Sequence, residues 1–334
     1  MSLQVPVSVL DLGSVARAAT TAQALADTTG LAQSADRLGY HRFWVAEHHN
    51  MPIVASTSPS VLIAHLAAVT ERIRVGSGGV MLPNHPPLVV AEQFSMLEAL
   101  HPGRIDLGIG RAPGTDPATA AALRRSPDTL NAQEFPRHLI DLMGLLGDVR
   151  EGSRLHTRFS ATPRAVTYPD IFLLGSSGYS AQLAGLLGLS FVQAHHFDMG
   201  GTDESVRMYR QAFRPSGTLG EPYPIVSANV VVAASEEEAY RLSLPGRLVR
   251  FWLRTGRPIR IVTVEEAEQN LDLESALAMP TESLTGTPDQ VAEGLEALQA
   301  RTEAAELMVT ATTAGYEEKV DGLGLLAKTL GLGT

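Results

Sequence analysis

Glu47, His48 and His49 stand side by side directly after the apolar run Phe43-Trp44-Val45-Ala46. A carboxylate beside two imidazoles can move protons near neutral pH, and it is also a set that a metal ion could use. In parallel-strand enzymes such groups gather at the C-terminal ends of strands, where the following loops build the site. A glutamate that only hydrogen-bonds a histidine at a strand end would look the same in isolation, so the other strand ends decide.

Composition narrows the chemistry further. The 334 residues include no cysteine, which removes disulfides, thiolate metal sites and cysteine nucleophiles and leaves ten histidines, the carboxylates and the hydroxyls. A formal net charge of -10 with scattered Lys and Arg argues against nucleic acid or an anionic membrane as a partner, and a small molecule or another protein is expected instead. No apolar stretch reaches the roughly 18 residues of a spanning helix. No basic run precedes Val5, so a cytoplasmic protein is expected.

The elements that must position the triplet form an alternation. Short apolar runs recur at Val5 to Leu12, Phe43 to Ala46, Ile73 to Leu82, Ile105 to Ile109, Ile171 to Leu174, Phe191 to Ala194, Ile225 to Ala233 and Leu307 to Ala311. Helix-like segments separate them, among them Thr21 to Leu38 with Gly39 at its C-cap, Val89 to Leu100, Gln182 to Leu187 and Pro288 to Ala300. The last opens with Thr287 as N-cap, Pro288 in the first turn and Gln290 three residues after the cap. Eight strand-helix units predict an α/β protein, a (β/α)8 TIM barrel formed as one domain over residues 1–334. A doubly wound sheet would carry a GxGxxG turn after its first strand, and this chain has none there. The polar stretch Arg150 to Asp170 and an insertion at about 234–286, between the seventh and eighth strands, break the repeat. The insertion, which contains Phe251 and Trp252, is expected to serve as a lid or an oligomer contact.

Other strand ends carry chemistry as well. On the fourth strand, alternation places Ile105, Leu107 and Ile109 toward the helices and Asp106, Gly108 and Gly110 toward the interior, with Arg111 at the tip. Two glycines near the mouth would leave room for a flat ring and the guanidinium could clamp a phosphate; close packing and a surface arginine would explain them too. After the fifth strand, Gly175-Ser176-Ser177-Gly178-Tyr179-Ser180 enters a helix, and a helix N-terminus with three nearby hydroxyls favours an anion, phosphate above all. The third strand ends in Gly76-Ser77-Gly78-Gly79-Val80-Met81-Leu82-Pro83, where glycines mark a bulge or close approach of a ligand. The sixth delivers Gln193, His195 and His196 toward the same rim, with a structural role the expectation for either histidine.

Taken together, Trp44-Val45-Ala46-Glu47-His48-His49, Val80-Met81-Leu82-Pro83, Glu92-Gln93 and Gly103 through Arg111 resemble the bacterial luciferase-like family of flavin-dependent monooxygenases, in order and spacing, over roughly the first half of the chain. The resemblance implies a (β/α)8 barrel that binds reduced FMN, reacts it with O2 to a C4a-hydroperoxyflavin and oxygenates a small organic substrate. It implies His48 as the catalytic histidine with Glu47 and His49 beside it, and Gly110 facing the reactive edge of the flavin. Arg111, Ser177 and Ser180 match its phosphate contacts, with Ser176 and Tyr179 in the same turn, and Gly78-Gly79 falls where the family carries a non-prolyl cis peptide under the ring. A cis bond or bulge is therefore expected there. Luciferase itself has a cysteine where this chain has Gly110, so light emission is not expected. Reduced FMN would come from a separate flavin reductase, because no NAD(P)H fingerprint is evident, and the family implies a homodimer.

Rival readings remain at this point. A deazaflavin (F420)-dependent oxidoreductase on the same fold would transfer hydride without oxygen, and its longer anionic tail would call for more basic residues than Arg111. A non-enzymatic flavin-binding barrel would bind the cofactor without turnover. A metal hydrolase is disfavoured because neighbouring strand residues face opposite ways, so His48 and His49 could not both enter the lumen; no metal is expected.

Overall fold

The computed structural model describes residues 3–17, 19–124, 134–197 and 199–333. Its strands are β1 (Val7–Asp11), β2 (Arg42–Val45), β3 (Arg74–Met81), β4 (Ile105–Gly110), β5 (Asp170–Gly175), β6 (Ser190–Gln193), β7 (Pro224–Val232), β8 (Leu284–Gly286) and β9 (Glu306–Ala311). Helices α1 (Thr21–Leu38), α2 (Pro59–Ala68), α3 (Pro87–Leu100), α4 (Pro117–Arg124) and α5 (Phe135–Leu145) accompany the first four strands. Helices α6 (Gly178–Leu187) and α7 (Thr202–Ala212) follow β5 and β6, and α8 (Glu236–Thr255), α9 (Val264–Glu268) and α10 (Leu273–Ala278) follow β7. Helices α11 (Pro288–Thr302) and α12 (Tyr316–Leu330) complete the chain.

The pairings run β6-β5-β4-β3-β2-β1-β9-β7, and β6 also pairs with β7, so eight parallel strands close on themselves. The predicted (β/α)8 barrel is what forms, with each expected strand within about two residues of its place. The ninth strand, β8, was not foreseen. Its three residues lie parallel to the outer end of β7 and close the insertion.

Alternation sorts the side chains into two layers. Val9, Phe43, Val75, Ile105, Leu107, Ile109, Phe191, Val226 and Val309 point outward into one large core with the helices. Leu10, Trp44, Phe172, Val192, Ile225 and Met308 point inward and plug the middle of the barrel. The fourth strand therefore faces as its sequence predicts.

Below that plug lies a buried floor of charge. Arg42 donates to Asp106 at 2.9 Å and to Glu306 at 3.0 Å, Arg74 donates to Asp106 at 2.6 Å, and Trp44 Nε1 donates to Asp106 at 2.9 Å. Ser8 and Tyr223 donate their hydroxyls to Glu306 at 2.5 and 2.8 Å. These residues sit at the starts of their strands, the end of a TIM barrel that serves stability rather than chemistry. Burial alone would depress the Arg42 guanidinium, but Asp106 and Glu306 more than reverse that and hold it charged.

Asp106→Asn removes one charge from this floor and leaves two guanidinium groups facing it. Breaking such a buried set by removing one partner costs about 3–5 kcal/mol. The variant should show that loss in urea unfolding; a loss within about 0.5 kcal/mol, the usual range for a surface change, would mean the network carries little of the stability.

Candidate active site at the mouth of the barrel

The chain leaves the ladder at Val45, and only the Ala46 N–H continues it with a 3.3 Å bond to the Asp11 carbonyl. Glu47, His48 and His49 therefore occupy the loop beyond β2 and not the strand end expected from sequence. The backbone of His48 is held there by its N–H, which donates to the Ser56 carbonyl at 3.1 Å.

Glu47 is fully buried. Its Oε1 lies 2.8 Å from His49 Nε2 and 2.8 Å from His85 Nε2, and its Oε2 accepts the Met81 N–H at 3.0 Å. Burial opposes ionisation of this carboxyl, but the hydrogen bond and charge of His85, the bond from His49 and the Met81 N–H outweigh it and hold the pKa below the ordinary value. An ionised carboxylate only accepts, so both imidazoles present Nε2–H to it.

His85 went unremarked in the sequence, although it stands just after the matched Met81-Leu82-Pro83. Since β2 ends at Val45, strand alternation does not govern the triplet and does not keep His49 from facing other ligand-type side chains. Glu47, His49 and His85 bring ligand-type atoms within 4.8 Å of one another, and in this structure hydrogen bonds join them.

His48 stands apart from this tripod. Burial lowers its pKa against the opposing pull of Glu47, so the ring is neutral at physiological pH. Its Nδ1 is buried and has no hydrogen-bond partner among the described residues. His196, from the turn after β6, lies close enough to feel the charge state of His48. Its partner His195 is committed elsewhere, 2.9 Å from Thr202 Oγ1.

The glycines occupy the expected strands, but the space beside several of them is filled. A Cβ on Gly78 would lie 2.7 Å from Leu10 Cδ1, one on Gly108 2.1 Å from the Ser77 carbonyl, and one on Gly110 2.7 Å from Met81 Sδ. These glycines let strands and interior side chains approach closely. The Gly78–Gly79 peptide is cis and the β3–β4 register shifts between Ser77 and Val80, as expected.

Arg111 follows Gly110, which pairs in register with Met81, the residue whose N–H donates to Glu47. It stacks on Tyr179, 4.3 Å from the ring centroid. Tyr179 belongs to the first turn of α6, which begins at Gly178, earlier than the sequence suggested. Ser177 is the N-cap and its hydroxyl makes no capping bond, so the first N–H groups of α6 are not closed by it. Ser176, Ser177 and Tyr179 are exposed, whereas Ser180 is buried against Gly175.

The insertion covers this end of the barrel. Helix α8 reaches the β6 turn, where Arg254 donates to the Phe197 carbonyl at 2.9 Å, and the loop before α9 accepts the Arg17 N–H, from the segment after β1, at 2.9 Å. Leu244, Leu248, Phe251, Trp252, Val262, Ala267 and Ala276 give it a small core of its own.

A family model described as luciferase-like monooxygenase matches residues 5–304. The chain belongs to the luciferase-like monooxygenase family. A luciferase-like monooxygenase of Escherichia coli strain K12 is 39% identical over 325 residues, covering 95% of both chains. The N-acetyl-S-alkylcysteine monooxygenase of Bacillus subtilis strain 168 is 36% identical over 305 residues, covering 87% of this chain and 88% of its own. Among solved structures, apo-MsnO8 superposes with a TM-score of 0.87 at 35% identity over 98% of each chain. The match therefore extends well past the first half of the chain, through the insertion.

The state of Glu47 can be checked by pH. A carboxyl whose folded pKa lies below its unfolded value adds stability that is complete above the unfolded pKa and is lost as pH falls through the folded one. Glu47→Gln should be less stable than wild type at neutral pH, with the gap shrinking in acid. A gap that stays constant with pH would contradict an ionised Glu47.

Proposed function

We propose that this monooxygenase uses reduced FMN and O2 to oxygenate a small organic substrate of the thioether class. The observation that carries the cofactor reading is the cradle at α6: an arginine fixed on an aromatic ring beside a helix N-terminus whose N-cap hydroxyl is unused. It offers a guanidinium, backbone N–H groups and hydroxyls to one terminal phosphate. The unpartnered Nδ1 of His48 and the close-packed glycine strands between the two sites fit a flat ring laid across the mouth. The substrate class is suggested by the N-acetyl-S-alkylcysteine monooxygenase that the chain resembles.

When bound, reduced flavin would supply the electrons that activate oxygen. The residues of this chain do the rest. Arg111, Ser176, Ser177, Tyr179 and Ser180 hold the phosphate end; Ser180, being buried, acts through its backbone N–H in the first turn. His48, with its buried and unpartnered Nδ1, moves a proton at one of its nitrogens, and Glu47 with His49 and His85 fixes the loop that carries it. The insertion excludes water from the mouth. Reduced FMN is supplied by a separate reductase.

Anaerobic titration tests this reading. Arg111→Ala should weaken reduced FMN by roughly tenfold to a hundredfold, the range lost with a charged hydrogen bond, and leave riboflavin, which lacks the phosphate, unchanged. His48→Ala should bind FMN within about threefold of wild type and lose roughly 10²-fold or more in turnover of N-acetyl-S-methylcysteine, the range for a positioned acid or base. Tighter binding of F420 than of FMN, with oxygen-independent turnover, would favour hydride transfer and overturn the proposal.

A further inference from the structure

Two hydrogen bonds on β7 determine the protonation pattern of a histidine that family resemblance does not single out. Ser227 Oγ lies 3.0 Å from the Gln193 carbonyl, an atom that can only accept, so the single hydroxyl proton goes there. His196 Nδ1 lies 2.6 Å from the same Oγ. With the hydroxyl proton committed, His196 Nδ1 must supply the proton of this second contact, and the ring carries Nδ1–H. Its carbonyl is pinned as well, accepting from Asn229 Nδ2 at 2.8 Å.

Burial, with His195 and His48 nearby, pulls the His196 pKa down to about 4, so the ring is neutral and Nε2 is a bare lone pair. Ser227 and Asn229 share the lumen face of β7 with Ile225 of the inner plug, and Ser227 is the deeper of the two. A ring tied to Ser227 by Nδ1 leaves Nε2 on its far side, where it makes no hydrogen bond among the described residues. Asn229 pairs in register with Thr310, whose buried Oγ1 likewise lacks a partner among the described residues, as does His48 Nδ1. Thr310 thus shares the lumen face with Ser227 and Asn229, and His48 lies close enough to His196 to act on its charge.

We propose that His196 is the fixed hydrogen-bond acceptor of the substrate subsite, taking an N–H or O–H donor of the bound substrate on Nε2, with Ser227 as the positioning residue that sets its tautomer. An amide N–H, such as an N-acetyl amino acid carries, is a donor of this class. The inference rests on the reading of the mouth as the active site, but the tautomer itself does not.

Long-range 1H–15N correlation of the histidine rings separates the two. In the ligand-free protein, wild type and Ser227→Thr should show His196 protonated at Nδ1 with a bare Nε2, and Ser227→Ala should lose that pattern. Adding reduced FMN and then N-acetyl-S-methylcysteine, without oxygen, should shift the His196 Nε2 resonance upfield in wild type and Ser227→Thr on the second addition, and much less in Ser227→Ala. A wild-type ring protonated at Nε2, or an Nε2 resonance that saturating thioether leaves in place, overturns the proposal. Absence of FMN binding with the bare Nε2 intact would instead strike at the cofactor reading alone.

Discussion

A carboxylate taken wholly out of water keeps its charge only when donors surround it. Glu47 meets that condition by drawing in His49 from its own loop, His85 from the turn before α3 and the Met81 N–H at the end of β3. The loop after β2, the end of β3 and the turn that follows it are thereby fixed to one buried point. His48 lies between two of those attachments, so its backbone has little freedom and its ring stands free of the tripod. The register of Met81 with Gly110 then passes the same anchor to Arg111, and through its stacking to Tyr179 at the start of α6. The residues proposed for proton chemistry and those proposed for the anion cradle thus share one frame.

The barrel beneath divides its interior by depth. Opposed charges form the floor, apolar side chains the plug, and polar groups with close-packed glycines the rim. The floor and the plug are internally complete: Asp106 and Glu306 have their donors, and Trp44 is packed edge-on against Phe172 with ring centroids 4.9 Å apart. The rim is not. His48 Nδ1 and Thr310 Oγ1 lack partners among the described residues, and the Ser177 hydroxyl caps nothing. Buried polar groups cost free energy when unpaired, so His48 Nδ1 and Thr310 Oγ1 are candidates for completion by a ligand.

Much of this was legible in the sequence, for physical reasons that differ by element. The strand Ile105 to Gly110 is legible because apolar residues alternate with small or acidic ones. The Thr287 capping box and the Gly39 cap were equally local and both formed. Helix α2 escaped notice because Pro59 to Ala68 is apolar nearly all round and shows no polar stripe. Strand β8 is three residues long, below what alternation can reveal. The floor was invisible because Arg42 and Glu306 are 264 residues apart, and His85 and Ser227 matter only through partners that folding brings to them. At Gly78, Gly108 and Gly110 the sequence shows the missing side chain and not the Leu10, Ser77 and Met81 atoms that stand beside it.

If this mouth holds reduced flavin as proposed, the flavin reacts there with oxygen under protein control. Rapid mixing of the anaerobic protein, loaded with reduced FMN, against oxygenated buffer tests it most directly. A transient absorbing species, distinct from both reduced and oxidised flavin and longer-lived than anything free FMN gives, is the expected result. Direct conversion to oxidised flavin at the rate of free reduced FMN would contradict the account.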